Sequence, residues 1–129
     1  MSLAQKNRNP GNLRYAGQRE SIGQDARGFA IFPTHPAGWR ALVRQIKLDQ
    51  KRRMSVRQFV YKYAPPSEND TEDYLRFVAE GLVTKPDTPL DIFSPYALAG
   101  LIAAREGYFE EGDYAAERGK IQDSQDQER

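Results

Sequence analysis

The stretch from Ser94 to Gly107 has the sequence SPYALAGLIAAREG. A serine followed by a proline is typical of a helix start, because the serine side chain caps free backbone amides and proline fits the first helical position. The residues that follow are apolar on nearly every side, which predicts a buried helix at the centre of a small domain. This helix is expected to end at Arg105-Glu106-Gly107, so that its last turn carries a carboxylate.

The position of Glu106 makes it a candidate general acid. A carboxylate at a helix C-terminus faces the negative end of the helix dipole, and burial beside apolar residues raises a carboxyl pKa. Remaining mostly protonated near neutrality requires a rise of about two units, on the order of 3 kcal/mol. A carboxyl tuned in this way can donate a proton in catalysis. The alternative is a surface glutamate paired with a lysine or arginine.

Three further amphipathic helices are predicted before this one. In the first, apolar residues recur at helical spacing and predict a core face; they are Trp39, Leu42, Val43 and Ile46. Ser55 is the expected N-cap of the second helix, which should stop at Ala64 because the residue before a proline avoids the helical region. The third helix is expected to start after Asn69 or Asp70, and residues 84–93 are expected to form a connection.

The N-terminal third is predicted to be irregular with a little β structure. Residues 7–17 are dense in Asn, Gly and Pro, which is typical of turns, with a short extended piece at 12–15. Residues 18–27 are expected to form an exposed loop or hairpin, and 28–32 a short strand or buried turn. His35, next to Pro36, is expected in a loop. The predicted class is therefore mainly α, of the α+β type, with a short β-hairpin region.

The length of 129 residues predicts one domain, and charge divides it unevenly. Residues 110–129 hold seven acids and three bases, a net charge of −4, so residues 1–109 carry +5 within the overall +1. A segment so polar cannot offset its ordering entropy by burial. We predict a folded domain at 1–109 and an acidic tail at 110–129, which is either solvated or a docking arm for a partner protein.

Composition excludes several kinds of site. The chain has no cysteine and one histidine, so thiolate chemistry and a histidine-rich metal site are excluded, and no cofactor or metal is expected. No apolar run reaches the length of a membrane span, and no signal peptide is evident. The small net charge does not favour nucleic acid as a partner, and the cations at 47–53 fit the C-terminal end of a helix dipole.

Several segments resemble the lytic transglycosylases of the lysozyme-like superfamily. Residues 97–109, ALAGLIAAREGYF, resemble the helix that ends in the catalytic glutamate of that family. Residues 26–33 resemble its glycine-led motif at the wall of the sugar cleft. Residues 61–66 and 71–78 resemble its tyrosine-led turn and closing helix, and residues 8–17, RNPGNLRYAG, resemble phage-associated and flagellar-type peptidoglycan hydrolases.

The order of these motifs differs from the usual family order. The glutamate helix normally comes first, whereas here it comes last. Moving residues 94–109 in front of residue 7 restores the usual order, so the resemblance implies a circularly permuted lytic transglycosylase. Permutation is tolerated when the two chain ends lie close together at the surface. It requires residues 7–12 to pack near residues 107–109.

The resemblance implies cleavage of the MurNAc–GlcNAc bond of peptidoglycan glycan strands, with Glu106 as the acid. A lytic transglycosylase needs only this carboxyl, whereas a muramidase would add a second one. Glu20 and Asp25 are the candidates for that second carboxylate, unless they are simply solvated loop acids. The candidate substrate contacts are Asn9, Asn12, Gly28, Phe29, Phe32, Tyr63 and Tyr74. The asparagines could instead be turn formers, and the aromatic residues core.

Two departures from the family pattern support a second hypothesis. Ile31 stands where the glycine motif usually has glutamine, and Ala-Pro-Pro follows Tyr63 where Asn-Ala-Gly is usual. A non-catalytic component of a virion or secretion machine, which only grips cell wall or partner proteins, would show the same fold. A cell-wall substrate without a visible export signal suggests a phage protein, either carried in the virion or made in the host cytoplasm and released to the periplasm and cell wall as an endolysin.

Overall fold

A computed structural model describes residues 1–109, and the predicted acidic tail at 110–129 lies outside them. The elements follow in the order α1 (Leu3–Lys6), β1 (Gly23–Gln24), β2 (Ala30–Ile31), α2 (His35–Lys51), α3 (Val56–Tyr63), α4 (Thr71–Leu82), a 3₁₀ turn (Leu90–Ile92) and α5 (Pro95–Arg105). The predicted class is confirmed at this level: the described chain is mainly helical with one small antiparallel sheet.

Helix α5 lies at the centre of the packing, as its apolar sequence predicted. The Ser94 side chain accepts hydrogen bonds from the backbone amides of Tyr96 and Ala97 at 3.2 and 3.4 Å, so it caps the helix. The helix packs against α2 and α4. Its fully buried residues include Leu98 and Ile102, and Gly107 ends it in the left-handed region, with φ +77°. Because Gly107 turns the chain, Glu106 is the C-cap of the helix.

The other three predicted helices are also present. All four apolar residues predicted for α2 lie in the core: Trp39, Leu42, Val43 and Ile46 are each at most 1% exposed. Ser55 caps α3 in a reciprocal pair with Gln58, in which each side chain bonds the other residue's backbone amide. Of the two candidates before α4, Asp70 is the cap, and its carboxylate accepts from the amide of Asp73 at 3.1 Å.

Two short helical elements and one helix boundary differ from the predictions. Helix α1 is too short to produce a periodic pattern and is capped by Ser2. The stretch expected to be a plain connection contains the 3₁₀ turn, which buries Leu90 completely. The prediction that His35 lies in a loop is wrong, because Thr34 caps α2 and His35 is its first residue.

The β region explains how the N-terminal segment is held. Strand β1 pairs with β2 in the register Gly23–Ile31 and Gln24–Ala30, so residues 18–31 contain a hairpin. The predicted extended piece at 12–15 runs along the other edge, where the amide of Ala30 donates to the carbonyl of Leu13 at 2.9 Å. This arrangement brings residues 11–14 beside the end of α5. Within the described residues, the helices are all too short or too polar to cross a membrane.

Candidate active site

Glu106 lies in a groove between the N-terminal segment and the helices. The groove has a volume of about 750 Å³, and Glu106 is half-buried in it. One side is formed by residues 11–14 with Phe29, and the other by the C-terminal end of α3 and the loop that follows it. The lining residues used below are Asn12, Arg14, Arg27, Phe29, Gln45, Lys62, Tyr63, Glu68 and Glu106.

Two side chains donate hydrogen bonds to the Glu106 carboxyl. The Tyr74 hydroxyl, from α4, donates to Oε2 at 2.9 Å. The Asn12 Nδ2 donates to Oε1 at 3.5 Å, the outer limit for such a bond. Asn12 adopts the left-handed conformation with φ +48°, which asparagine tolerates better than most residues. Two segments that are far from Glu106 along the chain, the N-terminal segment and α4, therefore meet at its carboxyl.

The surroundings of Glu106 raise its pKa above the ordinary glutamate value. Burial is the largest cause, because it disfavours the charged carboxylate. The hydrogen bonds from Tyr74 and Asn12, and the charge of Arg105, act in the opposite direction without cancelling it. Arg105 itself pairs with Asp73 at 3.0 Å and lies over the Tyr74 ring, so the alternative of a surface glutamate paired with it does not describe Glu106.

The two tyrosines beside Glu106 remain protonated. Burial raises the pKa of Tyr74 and the pKa of Tyr63 far above their ordinary value. Both hydroxyls are therefore donors at every pH at which the protein would work. Tyr74 is 2% exposed and donates to Glu106, whereas Tyr63 lines the groove and donates to the carbonyl of Gly11. The structure thus places Tyr74 behind the carboxyl and Tyr63 at the groove wall.

A raised pKa predicts how the stability of the protein depends on pH. Folded protein binds the Glu106 proton more tightly than unfolded chain, so this group lowers the free energy of unfolding as pH rises from 4.5 through the raised pKa. A glutamine side chain does not titrate, so it contributes no such pH dependence to the free energy of unfolding. We expect Glu106→Gln to be more stable than wild type at about pH 8 and to lose that advantage at about pH 3, as measured by urea denaturation at both pH values.

Glu20→Gln provides a control of opposite sign. Hydrogen bonding to Arg40 lowers the pKa of Glu20, so this carboxylate stabilises the fold above its unfolded pKa and loses that contribution as pH falls. Glu20→Gln should therefore be less stable than wild type at about pH 8. If both variants shift in the same direction at this pH, Glu106 does not have a raised pKa.

Three of the predicted substrate contacts are buried and do not line the groove, so their assignment is corrected: Asn9, Phe32 and the Tyr74 already described. The Asn9 side chain is 0% exposed and is occupied by three hydrogen bonds. Its Nδ2 donates to the carbonyls of Leu13 and Ala30 at 3.0 and 2.9 Å, and its Oδ1 accepts from the Leu13 amide at 2.9 Å. Asn9 therefore fastens the N-terminal segment to β2. Phe32 is also completely buried, so it packs in the core and does not face a ligand.

Neither acid predicted as a second carboxylate lines the groove, so that assignment is also corrected. Glu20 forms an ion pair with Arg40 at 2.6 Å. The Asp25 carboxylate accepts from the amides of Arg27 and Phe29, both at 2.9 Å, and so shapes the hairpin turn; the hydrogen bond from Phe29 is the main cause of its lowered pKa. Both acids have structural partners that hold them ionised.

Two residues of the predicted glycine-led motif, Arg27 and Phe29, line the groove. Phe29 is half-buried, and its role as a substrate contact stays a prediction. Gly28 does not line the groove, but its φ of +91° makes the turn that precedes Phe29, and its carbonyl accepts from the amide of Tyr15 at 2.9 Å. Its role is to connect the hairpin to the extended piece at 12–15.

Sequence reasoning missed two charged pairs at the groove. Asp49 is 1% exposed on α2 and binds Lys62 Nζ at 2.5 Å. The sequence did indicate that Asp49 is buried, because it lies at the next position on the apolar face of α2 after Leu42 and Ile46. The pair of Arg14 and Glu68 joins the two sides of the groove, and it carried no local signal because the residues are 54 positions apart.

Within residues 1–109, the structure contains no cluster of three or more histidine or acidic side chains that could hold a metal ion. The groove is lined by the Glu106 carboxyl, the Tyr63 hydroxyl and charged side chains that include Arg14, Lys62 and Glu68. Comparison of the chain with protein-family models and with curated proteins gave no match.

Proposed function

We propose that this protein cleaves the MurNAc–GlcNAc glycosidic bond of peptidoglycan, as a lytic transglycosylase or a muramidase, with Glu106 as general acid. One observation supports this proposed activity more than any other. A carboxyl whose pKa is raised by burial lies in a groove large enough for a sugar chain and is held by the Tyr74 hydroxyl. A carboxyl with a raised pKa in an open groove is the arrangement that suits the general acid of glycosidic cleavage.

The reaction would begin with proton transfer from Glu106 to the glycosidic oxygen as the bond to the sugar carbon breaks. The carboxylate left behind is stabilised by the hydrogen bonds from Tyr74 and Asn12. The same carboxylate can then accept a proton from the attacking group, which is either water or the sugar's own 6-hydroxyl. Tyr63 and Phe29 offer flat surfaces along the groove wall for the sugar rings.

The acids of the groove favour the one-carboxyl mechanism. Among the described residues, the acids that line the groove are Glu106 and Glu68, and Glu68 is paired with Arg14. A lytic transglycosylase, in which one carboxyl serves as acid and then as base, fits this set without any further acid. We therefore favour internal attack by the 6-hydroxyl, which gives an anhydro sugar end.

Packing at the two ends of the domain supports the proposed circular permutation. The Ser2 hydroxyl donates to the carbonyl of Gly107 at 2.7 Å, and the amide of Phe109 donates to the Gln5 side chain at 3.4 Å. Residues 2–5 are therefore neighbours of residues 107–109, and Asn12 contacts Glu106 at 3.5 Å, so the two ends of the domain lie close together. We also propose that the protein is of phage origin and is either carried in a virion or released as a lysin.

Digestion of purified sacculi tests the proposed activity. The muropeptides released by wild-type protein are separated and identified by mass. New anhydro ends are expected, new reducing ends would indicate a muramidase, and released stem peptides with intact glycan strands would indicate an endopeptidase. If none of these products appears while the protein still binds sacculi, the second candidate is favoured, which is a non-catalytic wall-binding component. The supporting observations are Ile31 and the Ala64-Pro65-Pro66 sequence, of which Ala64 and Pro65 line the groove.

Replacing Tyr74 by phenylalanine is expected to move the pH profile of activity. The hydroxyl stabilises the Glu106 carboxylate, so its loss should raise the pKa of Glu106 and move the alkaline limb of kcat/KM to higher pH. Stability should fall by about 1 kcal/mol, since a buried hydrogen bond is lost. Tyr61→Phe is the matched control, because the exposed Tyr61 hydroxyl donates to Glu72 at 2.7 Å. An alkaline limb that does not move, or moves equally in the control, contradicts the assigned role.

A further inference from the structure

An ion pair connects the two sides of the groove. Arg14 lies on the N-terminal segment and Glu68 on the loop between α3 and α4, and a guanidinium nitrogen donates to the carboxylate. Both side chains are about half exposed, at 54% and 47%. Exposed ion pairs contribute little net stability, because water solvates both charges well. Arg14 can therefore exchange Glu68 for another anion at a small cost in free energy.

Arg14 is held in place independently of Glu68. Its guanidinium carbon lies 4.9 Å from the centre of the Phe29 ring, in a cation–π arrangement. Its backbone forms an antiparallel bridge with Phe29, and its carbonyl accepts from the Gln18 side chain at 2.7 Å. A guanidinium oriented in this way presents a planar fork of donors that matches a carboxylate.

The groove as a whole favours a negatively charged ligand. Its basic residues are Arg14, Arg27 and Lys62, and of these Lys62 is already paired with the buried Asp49, a carboxylate that also pairs with Arg52 at 3.2 Å. Its acids are Glu68 and Glu106, and burial favours the neutral form of Glu106. If Glu68 releases Arg14, the groove offers two cations for one ligand anion.

We propose that Arg14 binds a carboxylate of the glycan strand and that Glu68 occupies the same guanidinium until the strand arrives. This inference rests on the proposed function and narrows its substrate to a carboxylate-bearing strand, in contrast to a neutral polymer of N-acetylglucosamine. The carboxylate belongs either to the stem peptide or to the lactyl group of a sugar that carries no stem peptide, because an attached peptide converts the lactyl carboxyl into an amide. Glu68 thereby acts as an internal competitor that a neutral strand cannot displace.

Binding measurements in the uncleaving background Glu106→Gln test this proposal. Co-sedimentation with intact sacculi is compared for the background protein and for the same protein carrying Arg14→Gln or Glu68→Gln. Arg14→Gln should weaken binding about tenfold, the effect of losing one charge-assisted contact. Glu68→Gln should strengthen binding about threefold, because it removes the competitor. Arg40→Gln, which breaks the exposed pair with Glu20, is the matched control and should leave binding unchanged.

Two further arms identify the ligand group. A soluble oligomer of N-acetylglucosamine carries no carboxylate, so neither variant should change its affinity by more than about twofold. Sacculi stripped of stem peptides by an amidase expose the lactyl carboxylate. Dependence on Arg14 in this material assigns the contact to the lactyl carboxylate of peptide-free sugars, and dependence confined to intact sacculi assigns it to the peptide.

Opposite effects of the two variants are the signature that a purely structural pair would not give. If Arg14→Gln and Glu68→Gln both weaken binding, or alter the neutral oligomer equally, the proposal is overturned. This failure is distinct from failure of the proposed function. Wild-type protein that cleaves sacculi without any dependence of binding on Arg14 contradicts only the carboxylate contact. Binding with the expected signature but without cleaved ends contradicts only the enzymatic activity.

Discussion

Glu106→Gln is expected to reduce cleavage of sacculi by about a thousandfold, within the range for loss of a general acid. Glutamine has nearly the same shape and can still accept the hydrogen bond from the Tyr74 hydroxyl, so the groove should be preserved. What is lost is the proton that the glycosidic oxygen must receive. The rate of appearance of new chain ends, measured for both proteins at equal concentration, gives this ratio.

Glu72→Gln is the matched control for this substitution. Glu72 also accepts a hydrogen bond from a tyrosine, at 2.7 Å from the Tyr61 hydroxyl, but it is exposed on α4 and does not line the groove. It should retain the wild-type rate. A Glu106→Gln protein that is folded, binds sacculi and still releases ends at more than about a tenth of the wild-type rate would show that Glu106 is not the acid.

Gly38→Ala is expected to destabilise the fold by about 3 kcal/mol, or to prevent folding altogether. An added Cβ at this position would lie 2.0 Å from the backbone carbonyl oxygen of Arg8 and 2.9 Å from Cδ of Pro10. Neither atom can move without displacing the N-terminal segment, because Asn9 between them is held by three buried hydrogen bonds. Urea denaturation followed by circular dichroism measures the loss.

Gly81→Ala separates this clash from the general effect of changing a helical glycine. Its added Cβ would lie 2.4 Å from a methyl group of Leu101, which is the end of a flexible and only partly buried side chain. Leu101 can rotate away, and alanine favours a helix over glycine by about 1 kcal/mol. We therefore expect a small net change. Equal losses in the two variants would mean that contact with Arg8 does not constrain α2.

The helical part of the fold was predictable because its signals are local. Ser94-Pro95 and Ser55 mark helix starts, and Ala64-Pro65 marks a helix end, through backbone geometry and capping that involve only near neighbours. Glu106 was found in the same way, from its position at the end of an apolar helix. The two short helical elements were missed, because one turn of helix is too short to show a period.

The remainder of the site depends on contacts between distant segments. No local pattern indicates that Asn12 reaches Glu106 or that Arg14 meets Glu68, since these pairs are 94 and 54 positions apart. Asn9 and Asn12 are equivalent as turn residues in the sequence. Only the packing of residues 7–14 against the hairpin decides that Asn9 is buried and that Asn12 faces the groove.

The separation of Glu106 from its partners has a consequence for protein synthesis. Asn12 and Tyr74 precede Glu106 by 94 and 32 positions, so they leave the ribosome while the acid has not yet been translated. A nascent chain that ends before α5 therefore contains the residues of both groove walls but lacks Glu106. The proposed activity would therefore require that the last helix has been released and packed against α2 and α4.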